Sequence, residues 1–547
     1  MTDSQTSRRR LLAAGGTEHT SAATADPASA RAPQGDDGEL VVATRYGRVR
    51  GERAGAVRAF KGIPYAAPPV GRGRFRAPEA PEPWQGVRDA TRLGHPCVQN
   101  NPDFPAWLDP EPESEDCLYL NVWTPTRTKG PKPVMVWFHG GAFTWGSAGA
   151  PVYDGAHLAE TADVVVVSVN HRLNIFGYLW LGDAVPELAA HGNLGQRDLV
   201  AALRWVRENV TAFDGDTSNV TVFGESGGGA KIGALLATPD ARGLFHKAII
   251  ASGSQLAVMT REQANEVTQA TFTALGGGEF TEDRLLALSS DELRRAAGTV
   301  ESEVLDLPFQ PVVDGRFMPQ QTWQDGAPAG SQDIPMIIGT TSQETASFLP
   351  GMTDPIDTDA ELRQRLATFA MAPVLSDVQT DELIAGYRQA MPSATRLDLL
   401  VAMTTDLWMW HSALLQAERK LSTPGAVYFY EFAWRTPCFG SSWAAHSGQL
   451  PFVFGNLTYP TAWDGSDSDA GRAADDPTGQ RLILADQMMR AWGAFARTGD
   501  PSTAELKWPA YDLRTRATMV FDRGSSAVES DRNARRRQLI EGLPTAW

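Results

Sequence analysis

Apolar residues fall along this chain in two distinct rhythms. Val134–Phe138 (VMVWF) and Val164–Val169 (VVVVSV) are almost uninterrupted apolar runs of strand length, the pattern of strands covered on both faces. Asp198–Asn209 (DLVAALRWVREN) instead spaces its apolar residues three and four positions apart, which predicts an amphipathic helix. A second helix is predicted directly after Ser226, where AKIGALL follows a glycine-rich turn. Further strands are predicted at Lys247–Ala251, Pro335–Gly339 and Val427–Trp434, with short strands over Glu39–Gly51 and its sequel and a turn at Gly47. Strands alternating with helices predict an α/β sheet covered by helices. Segments 256–330 and 350–422 read as mainly helical, and are expected to cover the sheet's carboxyl edge as insertions. From Glu39 onward no low-complexity linker and no repeat breaks the pattern, so residues 39–547 are expected to form a single domain. The Gly/Ser/Asp-rich run 464–478 reads as an exposed loop within it.

Composition supplies material for a large core and narrows the partners. Hydrophobic residues make up 42% of the chain, with 16 Trp and 22 Phe. Acidic residues outnumber basic ones by 65 to 49, a net charge of −16; a nucleic-acid partner needs a basic face, so none is expected. No apolar run approaches the roughly 18 residues of a membrane-spanning helix. The cysteines Cys97, Cys117 and Cys438 are too few for a disulfide scaffold and wrongly spaced for zinc, although one bridge and a leftover thiol are arithmetically open. Near the N-terminus, SRRRLL (7–12) resembles a twin-arginine export signal and Ala28-Ser29-Ala30 a small-residue cleavage site. The apolar stretch after the arginines is only LLAA, short of the roughly 7–15 residues an export signal uses. Residues 1–38 therefore read as a degenerate leader or as a disordered tail, and secretion and a cytoplasmic location stay equally open.

Candidate chemistry enters at VTVFGESGG (220–228), where four β-formers run into a Gly-Ser-Gly turn that opens at once onto a helix. Ser226 is the crowded residue of a G-x-S-x-G pattern. Glycines at 224 and 228 relieve the crowding, so the turn can lift the serine Oγ above the end of a sheet. A phosphate cradle would need Lys-Ser/Thr at P-loop spacing, which is missing here. A serine hydroxyl is a weak nucleophile and needs a base, which in turn needs an orienting group; after an elbow of this kind the acid precedes the histidine. Three histidines follow Ser226. His246 leaves no room for an intervening acid, and His411 sits in a helical pattern, whereas His446 lies in a Gly/Ser-rich loop just past a predicted strand. His446 is the candidate base. Glu344, shortly after the strand Pro335–Gly339, is the candidate acid; Asp314 in an Asp-Gly turn and Asp406 in a helical pattern are its rivals. Peptide N–H donors for an oxyanion would come from Gly227 and from the glycine-rich turn HGGAF (139–143), which follows another buried strand.

Together these residues resemble the type B carboxylesterase family, the esterase–lipase group that includes the cholinesterases. The resemblance runs from about Thr44 to the C-terminus. It passes through FKGIPYAAPPVGRGRFRAPE (60–79), SEDCLYLNVWTP (114–125), HGGAF, NHRLNIFGYL (170–179) and GNLGQRD (192–198). TVFGESGGG (221–229), GTTSQE (339–344), HSGQLPFVFGN (446–456) and WGAFARTGDP (492–501) continue it. It implies an α/β-hydrolase fold: a central, mostly parallel sheet with helices on both faces and large helical insertions over an active-site gorge. It also implies a small-molecule carboxylic ester as substrate, with no cofactor and no metal. The triad would be Ser226, Glu344 and His446, and the oxyanion donors Gly141, Ala142 and Gly227. His446 would take the serine proton while Glu344 holds the imidazole, so activity should fall below about pH 6–7.

Some positions depart from the family pattern. Gly227 stands where alanine is usual, which is expected to loosen the turn. Gln343 and Thr345 flank Glu344 in place of Asp and Gly, and Gln449 replaces an acid after the histidine. Family members that act as binding proteins lack the serine, so an enzyme is favoured over a binding module. The family often bridges the positions of Cys97 and Cys117, implying a disulfide there if the chain is exported. Cholinesterases place a choline-stacking tryptophan where Trp107 falls, and Glu225 would add negative charge to such a pocket. Packing within its Pro- and Asp-rich loop is the cheaper account of Trp107, so a general carboxylesterase is the leading reading and a choline-ester preference the alternative. No motif encodes the particular ester or the oligomeric state.

Overall fold

In a computed structural model of the chain, the described residues are 40–100, 110–126, 130–303, 307–349, 351–352, 354–369, 371–438, 441–458, 471, 474–524 and 526–545. The leader or tail at 1–38, Trp107 and most of the run 464–478 lie outside them. In chain order the first eight strands are β1 (Val41–Thr44), β2 (Gly47–Arg50), β3 (Glu52–Ala54), β4 (Val57–Pro64), β5 (Val87–Asp89), β6 (Tyr119–Pro125), β7 (Lys132–Phe138) and β8 (Val165–Val169). They are followed by β9 (Gly215–Glu225), β10 (Lys247–Ala251), β11 (Met336–Thr341), β12 (Val427–Phe432), β13 (Thr436–Cys438), β14 (Ser441–Trp443), β15 (Thr518–Phe521) and β16 (Ala527–Glu529).

The main sheet runs β16-β15-β12-β11-β10-β9-β7-β8-β6-β4-β3. Every neighbouring pair from β8 to β15 is parallel, while β6, β4 and β3 at one edge and β16 at the other are antiparallel. Side chains alternate across it. On β7, Val134, Val136 and Phe138 enter one core, and Met135 and Trp137 the other; β8 splits Val165, Val167 and Val169 from Val166 in the same way. Both faces are dry, so the period of two is invisible in the sequence and only an unbroken apolar run remains. Helix Leu194–Asn209 covers one face with Leu199, Leu203 and Val206. Helix Gln480–Thr498 covers the other with Leu484, Met488, Trp492 and Phe495.

The insertions are only partly as expected. Helices Arg261–Ala274, Glu282–Ala287 and Ser290–Glu303 form in the first, but the described residues from 307 to 328 are irregular, where prolines at 308, 311, 319 and 328 each remove a backbone donor. The second holds helices Asp359–Ala367, Asp377–Ala390 and Arg396–Thr405, a π-turn at Asp406–Trp410, and helix His411–Lys420. Reciprocal capping boxes at Thr260/Gln263, Ser376/Gln379 and Thr395/Asp398 fix three of these starts. Leu40–Trp547 forms one compact unit. Among the described residues no helix is long and apolar enough to cross a membrane.

Candidate active site

Parallel strands end on one side, and here that edge gathers the candidate residues. β7 leads into His139–Ala142, β9 into Ser226, β11 into Glu344, and β12 into the segment carrying His446. Ser226 has φ 54° and ψ −126°, a conformation that costs a non-glycine residue energy and persists only when its surroundings hold it. They do: its N–H donates to the Ala251 carbonyl at 2.9 Å, and its own carbonyl accepts from Ala230 at 3.1 Å as the helix Gly227–Ala237 begins. The flanking glycines are sterically required. A Cβ on Gly224 would meet the Gly228 carbonyl carbon at 2.5 Å, and one on Gly228 the Phe138 oxygen at 2.0 Å.

Glu344 is fully buried in the tight turn after β11. Its Oε2 lies 2.6 Å from His446 Nδ1, and its Oε1 accepts the Thr341 N–H at 2.7 Å. Gln343, one of the departures from the family pattern, couples the acid loop to the histidine loop: its N–H donates to the Ala444 carbonyl, and its Oε1 accepts the Ala444 N–H at 3.0 Å. The Thr345 hydroxyl meets those of Thr404 at 2.7 Å and Thr405 at 3.1 Å. Gln449 donates to the Ser252 hydroxyl at 3.2 Å.

The second ring nitrogen of His446, Nε2, is 3.2 Å from Glu225 Oε1. Glu225 is 1% exposed and accepts a hydrogen bond from Ser447 at 2.7 Å. It therefore faces His446 and Ser447 inside the protein rather than lining an open cation pocket. Burial pushes the Glu225 carboxyl up to about 7, against the pull of His446 and Ser447. For His446, burial alone would lower the pKa; Glu225 and then Glu344 outweigh it and hold the imidazole at about 9. The ordinary histidine range assumed from sequence is corrected upward by these two carboxylates.

The HGGA turn lies directly over the serine. A Cβ on Gly140 would sit 3.4 Å from Ser226 Cβ, and Gly141 and Ala142 both adopt left-handed backbone, φ 79° and 50°. A Cβ on Gly227 would fall 2.1 Å from the Ala142 oxygen. Glycine at 227 thus permits a tight approach of the two turns, not the looser turn expected from the missing methyl.

Phe348 and Trp408 border the histidine and escaped the sequence reading, because single aromatics in an aromatic-rich chain carry no signal. Phe348 is 41% exposed, with its ring 5.1 Å from His446 and edge-on to Trp408 at 5.0 Å. Ser447 was missed for the same lack of pattern. The rival acids are engaged elsewhere. Asp406 accepts from Arg536 and Tyr387, and Asp314 from Arg316, Met318 and Asn193. His411 is buried in its helix, and His246 accepts the Val220 N–H at 3.1 Å.

The disulfide implied by the resemblance is not formed. Cys97, Cys117 and Cys438 are all buried free thiols. Cys97 and Cys117 do meet, as hydrogen-bonded thiols; that bond and then burial push the Cys117 thiol well up, away from the thiolate through which a bridge forms. Among the described residues no group of His, Cys, Asp or Glu is arranged to hold a metal ion.

Comparison with known proteins agrees over most of the chain. The profile of the carboxylesterase family matches residues 38–540. The para-nitrobenzyl esterase of Bacillus subtilis (strain 168) is 39% identical over 505 residues, covering 91% of this chain and 98% of that protein. Acylcarnitine hydrolase of Mus musculus is 33% identical over 495 residues, 85% of this chain and 83% of its own length. Among solved structures, a thermophilic para-nitrobenzyl esterase superposes with a TM-score of 0.78 at 37% identity, covering 92% of this chain and 100% of that one. A Geobacillus stearothermophilus carboxylesterase solved at pH 6.2 also gives a TM-score of 0.78, at 38% identity over 91% and 99% of the two chains. On its sequence and on its α/β-hydrolase fold, this chain belongs to the carboxylesterase family.

Proposed function

We propose that this protein is a serine carboxylesterase in which Ser226, Glu344 and His446 form the catalytic triad and Gly141, Ala142 and Gly227 supply the oxyanion hole. The observation that carries this reading is the 2.6 Å contact between Glu344 Oε2 and His446 Nδ1 at the sheet edge where the strained Ser226 emerges. With Nδ1–H held by Glu344, Nε2 is the nitrogen that accepts a proton once the raised imidazole has become neutral. Ser226 Oγ attacks the ester carbonyl, His446 takes its proton, and the three peptide N–H groups receive the negative charge. The alcohol leaves with a proton from His446, and water then repeats the cycle on the acyl-enzyme.

The substrate we propose is an uncharged ester whose apolar or aromatic group rests against Phe348 and Trp408. A relative named para-nitrobenzyl esterase fits that chemistry. The choline-ester alternative loses one of its two supports because Glu225 is occupied by His446 and Ser447; the other, Trp107, lies outside the described residues. The test is a panel of nitrophenyl and benzyl esters together with an organophosphate. The phosphonyl label should appear on Ser226, and Ser226→Ala should fold normally while losing several orders of magnitude in kcat. Label on another serine overturns the assignment.

A further inference from the structure

Helix Gly227–Ala237 starts at the proposed nucleophile, and its fifth residue is a lysine. Lys231 is completely buried, an unusual state for an amine without a carboxylate partner. Among the described residues it forms no ion pair, and burial lowers its pKa well below the usual value. Instead Nζ donates to the His139 carbonyl at 3.0 Å and lies 5.8 Å from the centre of the Phe143 ring. His139 and Phe143 are the two ends of HGGAF, so this one side chain touches both flanks of the turn carrying Gly141 and Ala142.

The neighbouring titratable groups offer the amine nothing better. His139 and His171 stack at 4.8 Å with their planes 8° apart. Each Nδ1 is 2.8 Å from a backbone carbonyl, of Gly140 and Arg172 respectively, while both Nε2 atoms are buried without a partner. Burial, and then the nearby Lys231, lowers both imidazoles well below their usual range, so the pair is neutral. Protonated or not, the amine keeps an N–H for the His139 carbonyl.

The turn needs such a restraint. Gly140 and Gly141 have no side chains to hold them, and Ala142 pays for its left-handed φ of 50°. Gly227 lets Ala142 come down onto the helix start, and Lys231, one helical turn further on, fixes the peptide that leads into the glycines.

We propose that Lys231 is a positioning residue for the oxyanion hole: by bonding the His139 carbonyl and packing on Phe143, it sets the direction of the Gly141 and Ala142 N–H groups. This rests on the proposed role of those N–H groups, and the two ideas fail differently.

The experiment uses the full-length enzyme with Lys231→Met, which keeps bulk without a donor, and Lys231→Gln, which keeps an N–H. Folding is checked by circular dichroism and thermal unfolding. For a nitrophenyl ester, K231M should lose roughly 10- to 100-fold in kcat with KM within about threefold, and K231Q should recover part of that loss, since an oxyanion donor is worth roughly 10²–10³ in rate. A trifluoromethyl ketone, which adds to the serine and presents an oxyanion, should weaken by the same factor as kcat/KM, while the matching methyl ketone binds unchanged. A residue that merely holds the fold would not move these two inhibitors apart. A folded K231M with kcat within about twofold of wild type overturns the proposal, as does lost kcat with trifluoromethyl ketone affinity intact. Failure of both variants to fold makes Lys231 a structural pin and also overturns it. If the organophosphate fails to label Ser226 in the wild type, it is the triad reading that falls.

Discussion

His446 sits between two carboxylates, and that placement governs its proton. Nδ1–H faces Glu344 at 2.6 Å, so the Nε2 lone pair would confront Glu225 Oε1 at 3.2 Å unless a proton lies between them. With Glu225 at about 7 and His446 at about 9, the imidazolium persists through neutral pH. A raised pKa means that the neutral base appears only at higher pH, so kcat/KM should rise through the alkaline range with a midpoint well above 6.5. Glu225→Gln removes the anion that stabilises the imidazolium, and the midpoint should then move toward acid; an unmoved midpoint would show that Glu225 does not control the base. Gly227 makes a second prediction. Because a Cβ there would fall 2.1 Å from the Ala142 oxygen, Gly227→Ala must push the two turns apart, and kcat should fall by roughly tenfold or more with KM little changed. Unchanged kcat would mean that the turn yields freely. Ser226, Glu344 and His446 were legible because each follows a recognisable strand within a few residues or in a glycine-rich loop. The pairing of Glu225 with His446 joins positions 221 residues apart, and no local pattern encodes it.

Among the elements, buried strands were readable and their surroundings less so. β10 came out with its bounds intact, while β11 and β12 shifted by one or two residues at their ends, where pairing rather than propensity decides. β6 and the helix Gln480–Thr498 were not recognised as elements at all. The π-turn Asp406–Trp410 was also hidden, since its composition is that of an ordinary buried helix. It presents Trp408 toward His446 at 5.9 Å, and it is held from the other end of the chain. Arg536, on helix Ala534–Ile540, reaches Asp406 at 2.8 Å through Nε and 2.5 Å through Nη2, with Asp406 1% exposed. Breaking a buried pair from one side strands the other charge, at a cost of roughly 3–5 kcal/mol. Arg536→Met should therefore lower the unfolding free energy from urea denaturation by that order and raise KM for aryl esters as Trp408 loosens. A destabilised variant with unaltered aryl-ester KM would separate the anchor from the substrate wall.

At the scale of the whole molecule, the sequence announced an α/β sheet, but the strand order, with β7 between β8 and β9, rests on crossovers that no window of residues can show. That order brings the carboxyl ends of β7, β9, β11 and β12 to one edge, and with them the candidate residues Ser226, Glu344 and His446. Cys97 and Cys117 belong to this scale too, because two thiols well apart in the chain meet just ahead of β6. Both thiols are buried, and the Cys97 sulfur also accepts the Leu173 N–H at 3.4 Å. With Cys117 held in its protonated form, oxidation of the native protein should be slow. Denatured without reductant, the enzyme should release three thiols; a count of one would show that the pair had closed beforehand. Closing it would constrain an unfolded loop of about 20 residues, worth roughly 3 kcal/mol in the chain-entropy account. Protein oxidised under mild denaturant and then refolded should accordingly unfold at a higher urea concentration than its reduced form. Equal midpoints would mean that native strain cancels the gain, and the thiol pair would then be a packing contact that stabilises no further when bridged.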